Sequence, residues 1–447
     1  MIQTDKQQAT FEKYSAYKDS GVEWFDSIPS NWESRRVKAL FRLVIDPAPK
    51  NNDEELLSVY TDIGVKPRKE LEERGNKAST TDGYWKVKKG DVVVNKLLAW
   101  MGAIGVSGYD GVTSPAYDIL RARKQVNGRY FHYMFRMATC VSELKRHSRG
   151  IMDMRLRLYF DKFGNIVVPF PSLVEQTAIA RFLDEKTTKI DQAIAQKEQL
   201  IALLKERKQI MIQELVTGKK VWNGTTWAAP EKTKDSGVEW IGEIPEHWEV
   251  KKLTHLTKLL VDGTHFSPKS FAQGEYKYVT AKNIKEWGFD FSNLSYILKK
   301  DHDSIYPRCP VTKGDVLYIK DGATAGIAMV NYLEEEFSLL SSVALIKPNL
   351  KNISSPYLAL YLNSEILRGF IKTQIVGGAL TRLTLELIAR FRIILPRLDE
   401  QNEIIRIVSQ ESSKIDQSIS LQEQQIEKLR EYKSTLIDSA VTGKIKV

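Results

Sequence analysis

The feature that most constrains the fold is a stretch of 49 residues that the chain contains twice. Residues 171–219 and 396–444 align without a gap at a constant offset of 225, and 22 of the 49 positions are identical. Both copies open on Pro-x-Leu-x-Glu-Gln, contain Lys-Ile-Asp and close on Val-Thr-Gly-Lys. The chain therefore has to be interpreted as two related halves before any single motif is considered.

Each copy predicts one long helix. In the first, Ser172 stands three residues before Glu175, which is the spacing of a capping box at a helix start. Neither proline nor glycine interrupts the run until Gly218, which suits a left-handed C-terminal stop. Such a helix would be roughly 65 Å long at about 1.5 Å per residue.

The apolar residues of both helices follow a three-four spacing, which favours a coiled coil. Lys197 and Lys208 interrupt the first seam where Gln422 and Lys433 interrupt the second. We therefore predict that the helices pair with each other, antiparallel; the alternative is that each packs only on its own domain. The predicted pairing residues are Ile190, Ile194, Ile201, Leu204, Met211, Ile415, Ile419, Ile426, Leu429 and Leu436.

A second repeat precedes each domain. Residues 18–32 and 234–248 share 10 of 15 positions at an offset of 216, with Lys-Asp-Ser-Gly-Val-Glu-Trp, Ile-Pro and a final tryptophan in both. We call these stretches the tryptophan motifs. Tryptophans beside an Ile-Pro turn are typical of a loop anchored on a core, so we expect Trp32 and Trp248 to pack rather than to stack on a base.

These repeats predict four segments. Residues 1–170 hold the first tryptophan motif and domain, 171–219 the first helix, 220–395 a linker with the second motif and domain, and 396–447 the second helix. The predicted fold class is α+β, with two mixed α/β domains in a pseudo-two-fold arrangement, joined by two long antiparallel helices that form a coiled coil.

The two domains share anchors but differ in their loops. Turn-plus-strand patterns at 89–94 and 313–318 and short amphipathic helices at 130–145 and 355–371 match. We also pair Arg155 with Arg382, because each lies five residues after a glycine and precedes a leucine. One scaffold with unlike loops indicates one recognition task performed on two targets.

Composition bounds the function. The net charge of +10 and the pI near 9.2 favour a polyanionic partner, with nucleic acid as the default. Cys140 and Cys309 are too few for a disulfide framework, so we expect the reducing cytoplasm. No stretch approaches 18 consecutive apolar residues, so we predict no membrane span.

Catalytic motifs are absent from the sequence. It contains no phosphate loop, no amino-methyltransferase motif, no glycine-rich cofactor fingerprint and no metal-ligand spacing among its six histidines. Asp262 followed by Glu275-Tyr276-Lys277 fits a nuclease pattern only superficially, and Asp262 more simply shapes a turn with Gly263. The sequence indicates a binding protein without catalysis.

The two tryptophan motifs, the two Pro-x-Leu-x-Glu-Gln helix starts and the two Val-Thr-Gly-Lys ends together resemble the specificity subunit of Type I restriction-modification enzymes, over almost the whole chain. The resemblance implies two target-recognition domains, each reading half of a split site in double-stranded DNA. It implies that two methylation subunits bring S-adenosylmethionine, and that restriction and translocation subunits use ATP and Mg. A self-contained restriction-methylation enzyme and a coiled-coil scaffold that binds only proteins are the alternatives.

The family's recognition loops have no transferable motif, so residue type alone selects candidates for DNA contact. They are Lys96, Trp100, Arg149, Arg155, Thr264, His265, Lys320, Thr324, Thr381 and Arg382. The alternative is that Trp100 is core, that Arg155 and Arg382 support a strand, and that the lysines are merely solvated.

A half-length chain tests the helix pairing. Residues 1–219 contain one tryptophan motif, one domain and one helix, and we expect them to form a symmetric dimer, because the seam can pair with a second copy of itself. Sedimentation equilibrium measures the mass. A half-chain that stays monomeric would contradict the pairing.

Overall fold

The computed structural model describes residues 11–61, 63–70, 81–151, 156–374 and 382–447. The chain divides into two compact units, Met1–Glu198 with Glu423–Val447, and Gln199–Gln422. Two helices of 44 residues contribute to both units, as the 49-residue repeat predicts.

The first unit is mixed α/β. Its strands are β1 (Tyr17–Asp19), β2 (Ser27–Pro29), β3 (Glu33–Arg36), β4 (Phe41–Val44), β5 (Leu57–Tyr60), β6 (Gly64–Pro67), β7 (Trp85–Val87), β8 (Val92–Asn95), β9 (Ile104–Val106), β10 (Gly111–Thr113), β11 (Tyr117–Ala122) and β12 (Val167–Phe170). Its helices are α1 (Val37–Leu40), α2 (Gly128–Arg136), α3 (Ala138–His147) and α4 (Phe160–Phe163), followed by the long α5 (Leu173–Val216).

The second unit has the same character. Its strands are β13 (Val221–Trp222), β14 (Trp227–Ala228), β15 (Thr233–Asp235), β16 (Glu243–Pro245), β17 (Glu249–Lys252), β18 (Thr257–Asp262), β19 (Tyr276–Val279), β20 (Ile284–Lys285), β21 (Gly288–Phe289), β22 (Ser295–Ile297), β23 (Val316–Ile319), β24 (Ala328–Val330), β25 (Ser338–Leu339), β26 (Val343–Pro348) and β27 (Arg392–Leu395). Its helices are α6 (Lys299–Ile305), α7 (Ser355–Leu362), α8 (Glu365–Gln374), α9 (Leu385–Ala389) and the long α10 (Leu398–Val441).

Each unit is built around its own four-stranded antiparallel sheet, and the two sheets have the same topology. The strand order is β4-β11-β8-β9 in the first unit and β18-β26-β23-β24 in the second. The inner strands β8 and β23 follow the predicted turn-plus-strand patterns and are completely buried, which accounts for the apolar runs 92–94 and 316–319. In each unit a further strand before the long helix pairs with one after the tryptophan motif, β12 with β3 and β27 with β17.

Helix α5 starts as predicted. The Ser172 hydroxyl accepts the Glu175 amide at 3.3 Å, and the Glu175 carboxylate accepts the Ser172 amide at 3.3 Å, so the reciprocal capping box is confirmed. In α10 the first half of the box is missing, because Arg397 has no acceptor side chain. The Glu400 carboxylate still accepts the Arg397 amide at 3.1 Å.

The same two glutamates bind the tryptophan motifs. The Trp32 indole donates to Glu175 at 2.9 Å and the Trp248 indole to Glu400 at 3.1 Å. Both indoles are buried, so the packing prediction is confirmed. Burial raises the pKa of Glu175, but hydrogen bonds from Trp32 and Ser172 outweigh it and lower the pKa below its usual value.

The glycines that end the helices pack on the tryptophan motifs too. Gly443, at the end of α10, has φ +76°, and a Cβ added there would lie 2.5 Å from Cδ of Pro29 and 3.1 Å from the Trp32 ring. Gly218, at the end of α5, has φ +74° and meets Pro245 in the same way at 2.3 Å. The predicted left-handed helix ends are confirmed, and the close approach adds a second reason for glycine.

Ion pairs across the seam show that the helices run antiparallel. In the first unit the Lys433 ammonium lies 2.6 and 2.7 Å from the Asp191 carboxylate oxygens. In the second unit Lys208 lies 2.9 and 2.8 Å from those of Asp416. These pairs are equivalent under the offset of 225, so the seam lysines and the aspartate of Lys-Ile-Asp form one interaction twice.

The predicted pairing residues lie on the inner side of the helices. Ile190 and Leu436 are buried in one core cluster of the first unit, with Ile194 and Leu429 packed against it. In the second unit Met211 packs against the corresponding cluster. Ile415, Ile419 and Ile426 are buried, whereas Ile201 and Leu204 are half-buried.

The glycine at the end of α10 can be tested by substitution. Gly443→Ala should lower the free energy of unfolding by about 2–4 kcal/mol, because alanine must adopt a left-handed φ and overlap Pro29. Gly224→Ala is the control: it has φ +98° and nothing within 4 Å of an added Cβ, so it meets only the backbone strain. Urea denaturation compares the two variants, and equal losses would show that the contact with Pro29 contributes nothing.

Candidate nucleic-acid interface

Sheet topology brings two loops of the second unit together. Strands β18 and β23 are both antiparallel to β26, so they run in the same direction and end at the same edge of the sheet. Asp262 is the last residue of β18, and Lys320 directly follows β23. The loops 262–266 and 320–326 therefore begin side by side, although the sequence separates them by more than 50 residues.

Lys320 is buried between two carboxylates. Its ammonium lies 3.5 Å from Asp262 Oδ2 and 3.1 Å from Asp321 Oδ2, and the side chains of Lys320 and Asp262 are 4% and 5% exposed. A buried charge is stable only when it is paired and hydrogen-bonded, so the two aspartates account for the lysine's position. Lys320 consequently supports the loops from inside and does not extend into solvent.

Arg308 holds the loop that follows β18. Its Nη2 donates to Asp262 Oδ1 at 2.5 Å and to the carbonyl oxygens of Asp262 and Gly263 at 3.2 Å each. Gly263 has no room for a side chain, since a Cβ would lie 2.0 Å from the Leu339 carbonyl oxygen. Asp262 therefore ends a strand and has an ion-pair role that the sequence analysis missed.

Three of the predicted contact residues in the second unit contact the aspartates of this cluster: Lys320, His265 and Arg382. His265 Nε2 lies 3.1 Å from Asp262 Oδ1, and Arg382 Nε lies 3.4 Å from Asp321 Oδ1; both side chains are more than half exposed. Thr264 is buried beside β25, whereas Thr324 is exposed on the 320–326 loop. Thr381 lies outside the described residues. Contact with DNA stays a prediction for all of them.

The equivalent lysine of the first unit is Lys96, which directly follows β8. Its ammonium donates to the Pro115 carbonyl oxygen at 2.9 Å and lies 3.4 Å from Asp118 Oδ1. Burial raises the pKa of Asp118, and the neighbouring Lys96 offsets that only in part. The first unit thus places one aspartate beside this lysine where the second places two.

Trp100 lies in the turn that follows Lys96. Its indole donates to the Leu97 carbonyl oxygen at 3.0 Å, and the Lys145 ammonium lies 5.4 Å from its ring centroid. The ring is half-buried. These contacts give Trp100 a role in its own turn, but the half-buried residue belongs to none of the described core clusters, whereas the alternative expected it in the core. Its contact with DNA is untested.

The pairing of Arg155 with Arg382 was wrong. The Leu158 amide donates to the Lys96 carbonyl oxygen at 2.9 Å, just as the Leu383 amide donates to that of Lys320 at 2.8 Å. Arg157, the residue before Leu158, is therefore the counterpart of Arg382. Arg155 itself lies outside the described residues.

Arg157 is a candidate that sequence reasoning missed, and it lies opposite a residue that was selected. Arg149 and Arg157 form an isolated antiparallel bridge. The backbone amide nitrogen of each lies 2.9 or 2.8 Å from the carbonyl oxygen of the other. The signal was present: the offset of 225 that aligns the long helices also places Arg157 on Arg382. Counting from the preceding glycine obscured it.

The described part of the chain holds neither a metal-binding cluster nor a membrane-spanning helix. Within those residues no group of three or more His, Cys, Asp or Glu side chains is arranged to hold a metal ion. None of the helices there combines the length and the apolar character that a bilayer span requires.

Comparison with known sequences gives a consistent result. The profile of the family described as Type I restriction modification DNA specificity domain matches residues 29–204 and 245–431. The specificity subunit of the type I restriction enzyme MjaVIII of Methanocaldococcus jannaschii is 22% identical over 434 residues, which cover 94% of each chain. That of the EcoBI enzyme of Escherichia coli is 26% identical over 247 residues, 55% of this chain and 51% of that one.

Solved structures share the fold. A chain from a study of complex assembly and conformational transition of the type I R-M system has a TM-score of 0.68 at 14% identity, covering 94% of this chain and 99% of that one. The HsdS subunit from Thermoanaerobacter tengcongensis has a TM-score of 0.51 at 14% identity, covering 94% and 98%. At such identity the likeness establishes the fold alone.

The buried ion pair of the second unit can be tested by removing one charge. Asp262→Asn should lower the free energy of unfolding by about 2–4 kcal/mol, because it leaves Lys320 with one carboxylate and Arg308 with no carboxylate at this site. The control Glu334→Gln removes a carboxylate from the exposed pair with Lys313 and should leave stability nearly unchanged. Urea denaturation of the full chain measures both, and a neutral Asp262→Asn would contradict the supporting role.

Proposed function

Because the chain belongs to the family of Type I restriction modification DNA specificity domains, we propose that it reads a split, asymmetric site in double-stranded DNA, with one half-site for each mixed α/β domain. The observation that carries the proposal is the shared position of Lys96 and Lys320. Each lysine follows the equivalent inner strand, β8 or β23, in the four-stranded sheet of its own unit. The loops around the two lysines differ.

Unlike loops on one framework support the asymmetry of the site. The first unit places Arg149 and Arg157 beside Lys96, whereas the second places His265, Arg308 and Arg382 around two aspartates. Side chains of these types bind phosphates and base edges. Two different constellations would read two different sequences, so the site is not a palindrome.

In this proposal the catalytic steps are carried out by partner subunits and not by this chain. The chain would direct two methylation subunits, which supply S-adenosylmethionine and modify adenine, and restriction and translocation subunits, which supply ATP and Mg chemistry. The absence of cofactor fingerprints from the sequence supports a recognition subunit without catalysis. A target adenine has to leave the base stack to be methylated, so the complex must accept distorted DNA.

The long helices would set the separation of the half-sites. A helix of 44 residues is about 66 Å long and, paired with another, resists bending. The ion pairs Asp191–Lys433 and Lys208–Asp416 fix the register of the pairing within each unit. Spacing along the DNA should therefore depend on the number of residues between these pairs.

A matched deletion tests this dependence. Removing 198–201 and 423–426 together takes four residues from each helix between the two ion pairs and leaves both pairs intact. Each helix becomes about 6 Å shorter, and its C-terminal part is rotated by about 40°. We expect the methylated motif to keep both half-sites with a spacer shorter by about two base pairs at 3.4 Å each, or methylation to be lost.

Modification-sensitive sequencing of host DNA, with the methylation subunits present, measures the motif. Replacing the same eight residues by alanine is the control, because it preserves the helix length. An unchanged spacer after deletion would remove the proposed role of the helices, and altered half-site sequences would contradict the assignment of reading to the domains.

A further inference from the structure

We propose that Arg149 and Arg157 together hold one phosphate of the DNA backbone in the first half-site. This rests on the proposed function and specifies the chemical group that this part of the interface binds.

The first observation is that the backbones of Arg149 and Arg157 are paired. The two residues exchange both backbone hydrogen bonds of an antiparallel bridge, at 2.9 and 2.8 Å. Directly opposed residues of such a bridge lie about 5.5 Å apart at Cα and extend their side chains from the same face.

The second observation concerns charge. Like charges directly opposite each other on two strands are destabilising, and two guanidiniums cannot relieve the repulsion by losing a proton. Arg149 is exposed and Arg157 half-exposed. No side-chain hydrogen bond or ion pair joins either arginine to any other residue that the structure describes. An anion bound between the two guanidiniums would turn the repulsion into two attractive contacts.

The third observation is the contrast between the units. Arg382, the counterpart of Arg157, has its guanidinium 3.4 Å from the Asp321 carboxylate. A cation already paired with a carboxylate releases less free energy on meeting a phosphate, because the existing pair has to be weakened. Among the described residues, an arginine pair without a carboxylate partner is therefore a property of the first unit, next to the Lys96 carbonyl that binds the Leu158 amide.

A phosphate fits this arrangement better than a base. The edge of one guanine accepts a single arginine through O6 and N7. A phosphodiester offers two non-bridging oxygens, which two neighbouring guanidiniums can bind from different sides. Such a contact positions the duplex without reading its sequence.

The test uses the full chain assembled with its methylation subunits and a fluorescent duplex that carries the methylated motif. Arg149→Gln/Arg157→Gln should weaken binding by the same factor for the cognate duplex and for duplexes altered at single positions of the first half-site. The slope of log K against log salt should become shallower by about one unit. Arg149→Lys/Arg157→Lys should restore most of the slope, since lysine also neutralises a phosphate.

The control Arg35→Gln/Lys189→Gln removes two positive charges that are already paired with Glu33 and Glu185. It should leave the slope unchanged, and a loss equal to that of the arginine variant would overturn the proposal in favour of net charge. Relaxed specificity at one base pair, without rescue by lysine, would assign the arginines to a guanine and also overturn it. If the wild-type complex binds all duplexes equally, the proposed function itself fails. If the wild-type complex discriminates between duplexes and the arginine variant binds them as wild type does, the phosphate site alone fails.

Discussion

The hydrogen bond between a buried tryptophan and the third residue of a long helix determines the architecture of each unit. In the first unit Trp32 binds Glu175 at the start of α5, and Pro29 of the same motif packs on Gly443 at the end of α10. One motif thus holds the beginning of one helix and the end of the other. Helices joined in that way have to run antiparallel, and the ion pairs across the seam then fix their register.

The second unit repeats this logic with the roles of the helices exchanged. Trp248 binds Glu400 at the start of α10, and Pro245 packs on Gly218 at the end of α5. Buried amides reinforce it: Gln401 accepts the Ser354 amide at 2.9 Å and donates to the Pro396 carbonyl oxygen at 3.0 Å. The repeated motifs are thus mainly framework, since Trp32 and Trp248 are buried and donate to glutamates of the long helices.

This division explains which parts of the structure could be predicted from the sequence. The framework was predictable because its interactions are local or repeated: a capping box between residues three apart, a glycine at a helix end, a seam in matched register. The loops were not. Lys320 is a basic residue after a strand and was expected at the surface, yet Asp262 neutralises it across more than 50 residues of sequence. Only the order of the strands in the sheet brings that carboxylate to the same edge.

The error over Arg155 has a similar physical cause. Leu158 lies eight residues after Gly150, but Leu383 lies six after Gly377, so a count from the glycine measures loop length, which differs between the domains. A count back from the long helix measures framework, which is constant: β12 and β27 are also related by 225.

The same reasoning explains how a duplicated chain could acquire the two specificities that we propose. A loop can change length and charge without cost to the fold when the strands at its base are bound elsewhere, by β3 with β12 and by β17 with β27. The ion pairs within each loop cluster then have to balance locally. Lys320 lies between two aspartates, whereas in our proposal the phosphate of the DNA would balance Arg149 and Arg157.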